Sequence, residues 1–112
     1  LMKPRLMDDQ VRPELDLHGC SVDEALRLSR ALITESARRG RDSVRIIHGK
    51  STTGSNSRTI KSALTELIDS GQLSLHVSST YKSEGHMLVA LRKGGNRYRS
   101  NRITLRDIKK RP

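Results

Sequence analysis

The sequence LDLHGCSVDEA, residues 15–25, joins a short strand pattern to the start of a helix. Leucines alternate with Asp16 and His18, and the alternation stops at Gly19, which predicts a strand over 14–18 that ends in a turn. Residues two apart on a strand share a face, so we expect the carboxylate and the imidazole to lie side by side. The stretch therefore predicts a strand with a polar pair at its end.

Two helices are predicted on either side of the middle of the chain. The first begins at Ser21, where Ser-Val-Asp-Glu is a capping box that uses Glu24, and it ends at Gly40. The second ends at Gly71. Apolar residues recur at helical spacing in both. They are Val22, Ala25, Leu26, Leu32 and Ile33 in the first helix, and Ile60, Ala63, Leu64, Leu67 and Ile68 in the second.

Three further segments have strand character. They are residues 43–48, 73–77 and 87–91, and polar segments at 50–57 and 78–85 separate them from their neighbours. The resulting order, strand, helix, strand, helix, strand, strand, predicts an α/β two-layer sandwich, βαβαββ, with a mixed four-stranded sheet and two helices. Right-handed crossovers make the first two strands parallel neighbours or near-neighbours.

Charge divides the 112-residue chain into an extended N-terminal lead-in (1–13), one domain (14–93) and a basic C-terminal tail (94–112). The net charge is +10, and residues 92–112 hold nine basic residues and one acid. A cationic arm of this density favours binding to a nucleic-acid backbone, and a solubilising tail is the alternative. The residues expected to contact nucleic acid are Arg92, Lys93, Arg97, Arg99 and Arg102.

Composition excludes several classes of protein. The chain has no Trp or Phe and 33% hydrophobic residues, so its core is small and aliphatic. No apolar run is long enough to span a membrane. A single cysteine, Cys20, excludes an internal disulfide and favours a reducing, cytoplasmic location. Cys20 fits a small packing residue better than a nucleophile.

Polar motifs follow the first two strands of the predicted sheet. If these strands are parallel, their carboxyl ends bring Asp16, His18, His48 and Lys50 to the same edge. A carboxylate beside an imidazole fixes its tautomer, so that the other ring nitrogen accepts a proton. Gly19 allows a close approach by a ligand, and a lysine ammonium holds a phosphate oxygen. This combination suits phosphodiester cleavage, which needs a base and a cationic clamp.

Structural interpretations of the same residues stay open. For Asp16 and His18 taken alone, a structural role is as good an interpretation as a catalytic one. Asp16 would then cap a turn, and His18 would be a partly buried ring with its hydrogen bonds satisfied. His48 would complete a partial ligand set with these two, but the spacing matches no standard zinc arrangement, so no metal ligand is assigned. A divalent cation, Mg²⁺ or Mn²⁺, stays open as a cofactor.

Three motifs together resemble the small MutS-related (Smr) domain family: LDLHG at 15–19, IIHGK at 46–50 and VALRK at 89–93. The likeness runs from about residue 11 to residue 93 in matching order. It implies a βαβαββ sandwich like the C-terminal domain of bacterial translation initiation factor three. It also implies an endonuclease that nicks DNA or cleaves RNA. The resemblance assigns catalysis to Asp16 and His18 and substrate or phosphate contact to His48, Gly49 and Lys50, while Gly19, Gly85 and His86 complete the predicted substrate-binding set.

Two departures from the family pattern keep a second hypothesis in view. The family usually reads His-Gly-Lys-Gly, whereas Ser51 follows Lys50 here, and a Gly-rich turn is replaced by KSEGH at 82–86, in which only Gly85 matches. The leading hypothesis is an Smr-type endonuclease of DNA or RNA. The alternative is a non-catalytic module that binds nucleic acid or the ribosome. The sequence distinguishes neither DNA from RNA nor one oligomeric state from another.

Overall fold

The computed structural model of the chain describes residues 3–49, 59–92 and 101–110. Its elements are β1 (Arg5–Asp8), β2 (Pro13–Asp16), α1 (Val22–Arg38), β3 (Ser43–Ile47), α2 (Ile60–Asp69), β4 (Val77–Lys82), β5 (His86–Leu91) and α3 (Leu105–Lys109). The α/β class predicted from the sequence is confirmed.

The described strands form one mixed sheet in the order β1-β2-β3-β5-β4. β2 and β3 are parallel neighbours joined through α1, as predicted, and the other pairs are antiparallel. The carboxyl ends of β2 and β3 therefore meet at one edge, and the antiparallel β5 begins at that edge. We call this the site edge of the sheet.

The helices share one hydrophobic core with a single face of the sheet. Leu15, Ile46 and Met87 are paired neighbours on β2, β3 and β5, and all three are buried. Leu32 of α1 and Leu64 of α2 belong to the same cluster. Side chains that alternate with this row point to the other face of the sheet, so the molecule is a two-layer sandwich.

α1 begins and ends as the sequence predicts. The Ser21 hydroxyl caps the helix by accepting a hydrogen bond from the backbone N–H of Glu24 at 3.1 Å. At the other end Arg39 is the C-cap, and Gly40 follows with φ +72°, a conformation that favours glycine.

The third predicted strand, 73–77, is wrong, and the segment predicted as a polar link is β4 instead. Leu73 is buried whereas Leu75 is 84% exposed, although a strand would place both on one face. Turn hydrogen bonds explain the difference, since the N–H groups of His76 and Val77 both donate to the Leu73 carbonyl.

The sheet has five described strands rather than the predicted four, because part of the extended N-terminal lead-in forms β1 and pairs antiparallel with β2. The connecting turn is built locally. Asp9 Oδ1 accepts hydrogen bonds from the N–H groups of Val11 and Arg12, and Gln10 has φ +73°. Pro13 then opens β2, a strand position that proline tolerates.

The C-terminal basic tail is not a free arm over residues 101–110. Ile103 and Ile108 are buried in the core, and α3 begins with a capping box between Thr104 and Asp107. Because basic residues surround these two isoleucines, the sequence did not indicate that the segment packs against the core. Residues 93–100 and 111–112 lie outside the described part of the chain.

A buried ion pair ties the two ends of the chain together. Asp8 Oδ2 lies 2.9 Å from a terminal nitrogen of Arg41, and both side chains are almost wholly buried. Asp8 Oδ2 also accepts a hydrogen bond from the Ile103 N–H at 2.8 Å. This contact links β1, the segment before β3 and the C-terminal segment.

Candidate active site

The first segment of the candidate site is the turn that follows β2. The strand ends at Asp16, and the Cys20 N–H donates to the Leu17 carbonyl at 3.1 Å to close a four-residue turn. Gly19 sits at its third position with φ +81°, which is typical of a type II turn and favours glycine. The strand predicted over 14–18 therefore ends two residues earlier than expected, and it begins one residue earlier, at Pro13.

Asp16 and His18 are in contact, but the turn rather than the strand brings them together. Asp16 Oδ1 accepts a hydrogen bond from the His18 N–H at 3.1 Å and a second one from His18 Nδ1. The His18 side chain is 47% exposed. Because Nδ1 donates to the carboxylate, Nε2 is left to accept a proton from the solvent side. Asp16 thus both stabilises the turn and orients the ring, which joins the two interpretations left open by the sequence.

The second segment of the site follows β3 and lies against the first. The Leu17 N–H donates to the Ile47 carbonyl at 2.9 Å, so the two segments run side by side. The N–H groups of His48 and Gly49 both donate to the Gly85 carbonyl, at 3.1 and 3.0 Å. Three segments that are distant in the sequence therefore meet at the site edge.

The His48 ring has a fixed orientation. Its Nδ1 lies 2.8 Å from the Gly49 carbonyl oxygen, and a carbonyl only accepts, so this nitrogen carries the proton. Nε2 of the neutral ring is then an acceptor. The half-buried His48 is therefore a second imidazole, and the only hydrogen bond of its ring among residues 3–49, 59–92 and 101–110 is the one from Nδ1.

Two glycines leave the backbone of this edge accessible. Gly49 has φ +76°, and a Cβ built on it meets no atom within 4 Å. A Cβ on Gly85 also meets nothing within that distance. The requirement for glycine at position 49 is therefore conformational, and the space above both residues is free of described protein atoms.

His86 completes the row along the site edge. Asp16, Ile47 and His86 are register partners across β2, β3 and β5, so their side chains share the face of the sheet that the helices do not cover. Ser83 Oγ lies 3.0 Å from His86 Nε2 and donates to the His86 carbonyl oxygen. Sequence reasoning missed Ser83. The signal was the tight KSEGH turn, which places a hydroxyl three residues before the imidazole.

Comparison with known proteins assigns the family. The Smr domain family model matches residues 15–92, which include all three segments of the site. This chain belongs to the Smr domain family. A solved structure, the Smr domain of Thermus thermophilus MutS2, matches it with a TM-score of 0.58 and 28% identity, covering 70% of this chain and 96% of that one. A search of curated proteins gave no significant match. The family includes nuclease-related members.

Cys20 borders the candidate site of this Smr domain, and its contacts fit the packing role expected from the sequence. Burial, together with a hydrogen bond to the Glu24 carboxylate, raises the pKa of the Cys20 thiol to about 12. The thiol is therefore protonated at neutral pH, and its side chain packs against the core. The predicted capping box is half formed among the described contacts. The Ser21 hydroxyl accepts from the Glu24 N–H, whereas the Glu24 carboxylate bonds to the Cys20 thiol.

The predicted tail residues do not reach the site where they are described. Arg92 follows β5 at the edge opposite the site and donates from Nε to the Ser74 carbonyl at 2.7 Å. Arg102 precedes Ile103, which is bonded to Asp8 at the same opposite edge. Lys50, Lys93, Arg97 and Arg99 lie outside the described residues, so their predicted contacts stay predictions.

Residues 3–49, 59–92 and 101–110 form neither a cluster of metal ligands nor a membrane-spanning helix. Within these ranges no three His, Cys, Asp or Glu side chains cluster closely enough to hold a metal ion. Whether a divalent cation, Mg²⁺ or Mn²⁺, acts as a cofactor stays open. None of the helices in these ranges is long and apolar enough to cross a bilayer.

Proposed function

We propose that this Smr domain is an endonuclease that cleaves phosphodiester bonds in DNA or RNA by acid–base catalysis. The single observation that supports this most is the state of His18. Asp16 holds its Nδ1, and the His18 side chain is 47% exposed at an edge where Gly49 and Gly85 leave the backbone accessible. A ring arranged in this way is ready to accept a proton from a bound nucleophile.

His18 begins the proposed reaction. Its Nε2 takes a proton from a water molecule or a ribose 2′-hydroxyl, and that oxygen attacks the phosphorus. The phosphorus–oxygen bond to the leaving group breaks, and the leaving oxygen takes a proton from an acid at the site or from water. Asp16 stabilises the imidazolium that forms, because its carboxylate is already paired with Nδ1.

The second segment would hold the phosphate. Gly49 allows a phosphate oxygen to approach the backbone, and the His48 ring lies beside it, where its Nε2 would donate to that oxygen in the doubly protonated form. Lys50 follows directly in the sequence and supplies the positive charge that the resemblance assigns to this position.

One observation favours the alternative, a module that binds nucleic acid or the ribosome without cutting. His86 and Ser83 are hydrogen-bonded to each other where the family usually has a Gly-rich turn, and Glu84 adds an exposed carboxylate. A carboxylate at this position opposes the approach of a phosphate. The alternative predicts tight, salt-sensitive binding without any cleavage product.

Digestion of a supercoiled plasmid and of a structured RNA distinguishes the two. Each substrate is incubated with wild-type protein and with His18→Ala, with added Mg²⁺, with added Mn²⁺ and with chelator. We expect His18→Ala to lower the cleavage rate by about 10²–10⁴-fold, the usual contribution of a general base. The matched control is His76→Ala, which removes an imidazole from the turn before β4 at the edge opposite the site.

Equal cleavage by wild type and His18→Ala would contradict the proposed mechanism. Binding without product under every metal condition would support the binding module instead. The same digests show whether DNA or RNA is the substrate and whether a divalent cation is needed.

A further inference from the structure

One face of the sheet packs against the helices, and none of the described helices covers the other face. We call the row Met7, Glu14, Arg45, Leu88 and Tyr81 the open-face row, since these residues are successive register partners across the five strands. Their side chains alternate with the buried row of Leu15, Ile46 and Met87. The open-face row therefore projects away from the hydrophobic core.

Tyr81 is the most unusual member of this row. It lies on the edge strand β4 with 62% of its surface exposed, and the half-buried Leu88 is its neighbour on β5. Tyr81 is one of the two tyrosines in the chain, and its ring is accessible on this face of the sheet. An exposed aromatic ring on a sheet is the usual platform for an unpaired base.

Arg45 lies in the middle of the row beside Leu88. Its Nε is buried and has no hydrogen-bond partner among residues 3–49, 59–92 and 101–110, whereas its side chain as a whole is 37% exposed. The described ion-pair partner is Glu14, at a loose 3.9 Å. A phosphate at this face would therefore meet the exposed part of a guanidinium whose described ion pair is loose.

The open-face row adjoins the candidate active site. The row of Asp16, Ile47 and His86 lies on the same face, two residues further along each central strand. Two residues along a strand correspond to about 7 Å. A strand of nucleic acid with its reactive phosphate at the site edge thus reaches the open-face row within a short distance.

We propose that the open face binds single-stranded nucleic acid, with a base stacked on Tyr81 and a phosphate held by Arg45. This inference deepens the proposed function and rests on it, since it names the substrate of the same site. Bases in a duplex are paired and stacked, so they cannot lie on an isolated ring, which favours the single strand over the double strand. A second copy of the chain is disfavoured as the occupant by the net charge of +10.

The test is a binding measurement in the His18→Ala background, where cleavage does not interfere. A fluorescein-labelled single-stranded RNA, the DNA of the same sequence and a blunt hairpin duplex are titrated, and anisotropy gives Kd. We expect Tyr81→Ala to weaken single-strand binding about 5- to 100-fold, the range for loss of one base–aromatic stack. Tyr81→Phe, which keeps the ring, should bind as the parent does.

Leu75→Ala is the matched control for loss of an exposed apolar side chain. Leu75 is 84% exposed and lies before β4, away from the open-face row, so its replacement should leave Kd unchanged. Arg45→Gln should reduce the dependence of log Kd on log salt by about 0.7, the value for one phosphate contact on a single strand. Circular dichroism of each variant confirms that the fold is intact.

Separate outcomes identify which idea fails. Cleavage by the wild type combined with unchanged binding by Tyr81→Ala and Arg45→Gln overturns the open-face proposal and leaves the nuclease standing. Weakened single-strand binding by Tyr81→Ala in a chain that never cleaves supports the open face and overturns the nuclease. Equal or tighter binding of the hairpin, or a protein-only self-association that Tyr81→Ala abolishes in sedimentation, overturns the open-face proposal.

Discussion

Asp8 and Ile103 are joined by a hydrogen bond of 2.8 Å from the Ile103 N–H to Asp8 Oδ2, although 95 positions separate them in the sequence. The same carboxylate is paired with Arg41 and also accepts from the Gln10 N–H. Every oxygen of a buried charge is thereby satisfied. The contact holds β1 and the C-terminal segment against the domain matched by the family model, which covers residues 15–92.

Replacing Asp8 should destabilise the protein strongly. Asp8→Ala leaves the buried Arg41 without its partner, and we expect a loss of about 3–5 kcal/mol in the free energy of unfolding. Urea denaturation followed by circular dichroism measures it. The control is Asp69→Ala, which removes the exposed ion pair with Lys82 and should cost about 0–1 kcal/mol. Equal effects of the two variants would contradict the role given to the buried pair.

The Asp8 contact also predicts a dependence of stability on pH. Burial by itself raises the pKa of Asp8, but hydrogen bonds from Arg41, Ile103 and Gln10 bring it below the ordinary value of 3.8. A carboxyl with a lowered folded pKa contributes stability that is present above the unfolded pKa and is lost as pH falls through the folded one. We expect the free energy of unfolding to decrease below about pH 4.

Asp8→Asn isolates this contribution, because it removes the titrating group and keeps the shape of the side chain. Exposed carboxyls such as Asp9, whose pKa is also lowered, titrate equally in both proteins. The difference in unfolding free energy between wild type and Asp8→Asn should therefore shrink on acidification from pH 6 to pH 3. A constant difference across that range would exclude Asp8 as the source.

The C-terminal segment should behave as part of the core. Ile108 is fully buried, so Ile108→Ala should lower the free energy of unfolding by about 2–5 kcal/mol. Leu75→Ala, at a site that is 84% exposed, should change it by less than about 0.5 kcal/mol. Thermal and urea denaturation measure both. If the segment were a basic arm that does not pack against the core, Ile108→Ala would not change the free energy of unfolding.

Gly49 offers a test of backbone approach to a phosphate with an internal control. Gly49 and Gly71 have φ of +76° and +83°, and a Cβ on either meets no atom within 4 Å. Alanine at each position should therefore cost a similar amount of stability, about 1–2 kcal/mol for the left-handed conformation. Only Gly49→Ala should also weaken nucleic-acid binding or cleavage, because Gly71 directly follows the C-cap of α2 and belongs to none of the three site segments. Similar activities of the two variants would remove Gly49 from the site.

Asp16→Asn separates orientation of the ring from its presence. The amide oxygen still accepts from the His18 N–H, so the turn should stay intact, but the negative charge beside Nδ1 is lost. We expect kcat to fall by about 10- to 10²-fold, less than for His18→Ala, while KM changes little. Cleavage rates under saturating substrate check this. An unchanged kcat would reduce Asp16 to a turn cap.

Local patterns were sufficient for the central part of the fold. Ser21 and Gly40 delimit α1, and the periodic leucines and isoleucines identify the core face of both longer helices. The parallel pairing of β2 and β3 followed from the handedness of the crossover through α1. The helix ends depend on contacts between residues close in the sequence, and the strand pairing follows from the strand–helix–strand order, so the sequence predicts both.

The sequence did not predict the structure of three short segments correctly. LSLHV at 73–77 has strand alternation, yet its turn hydrogen bonds make Leu75 exposed. The short segments 5–8 and 105–109 carry too few apolar residues to predict an element. Each of them is stabilised by contacts with distant parts of the chain, such as those of Asp8 and Ile108.

The sequence by itself determined the site residues in kind, since the order of Asp16, His18, His48 and Gly49 beside strand ends indicates one polar edge. Tertiary structure alone decided that the Gly85 carbonyl holds the second segment and that Ser83 pairs with His86. It also decided that the described basic residues Arg92 and Arg102 lie away from the site. The physical reason is that hydrogen bonds between distant segments and burial of Ile103 and Ile108 depend on how the sheet and helices pack, which no local pattern encodes.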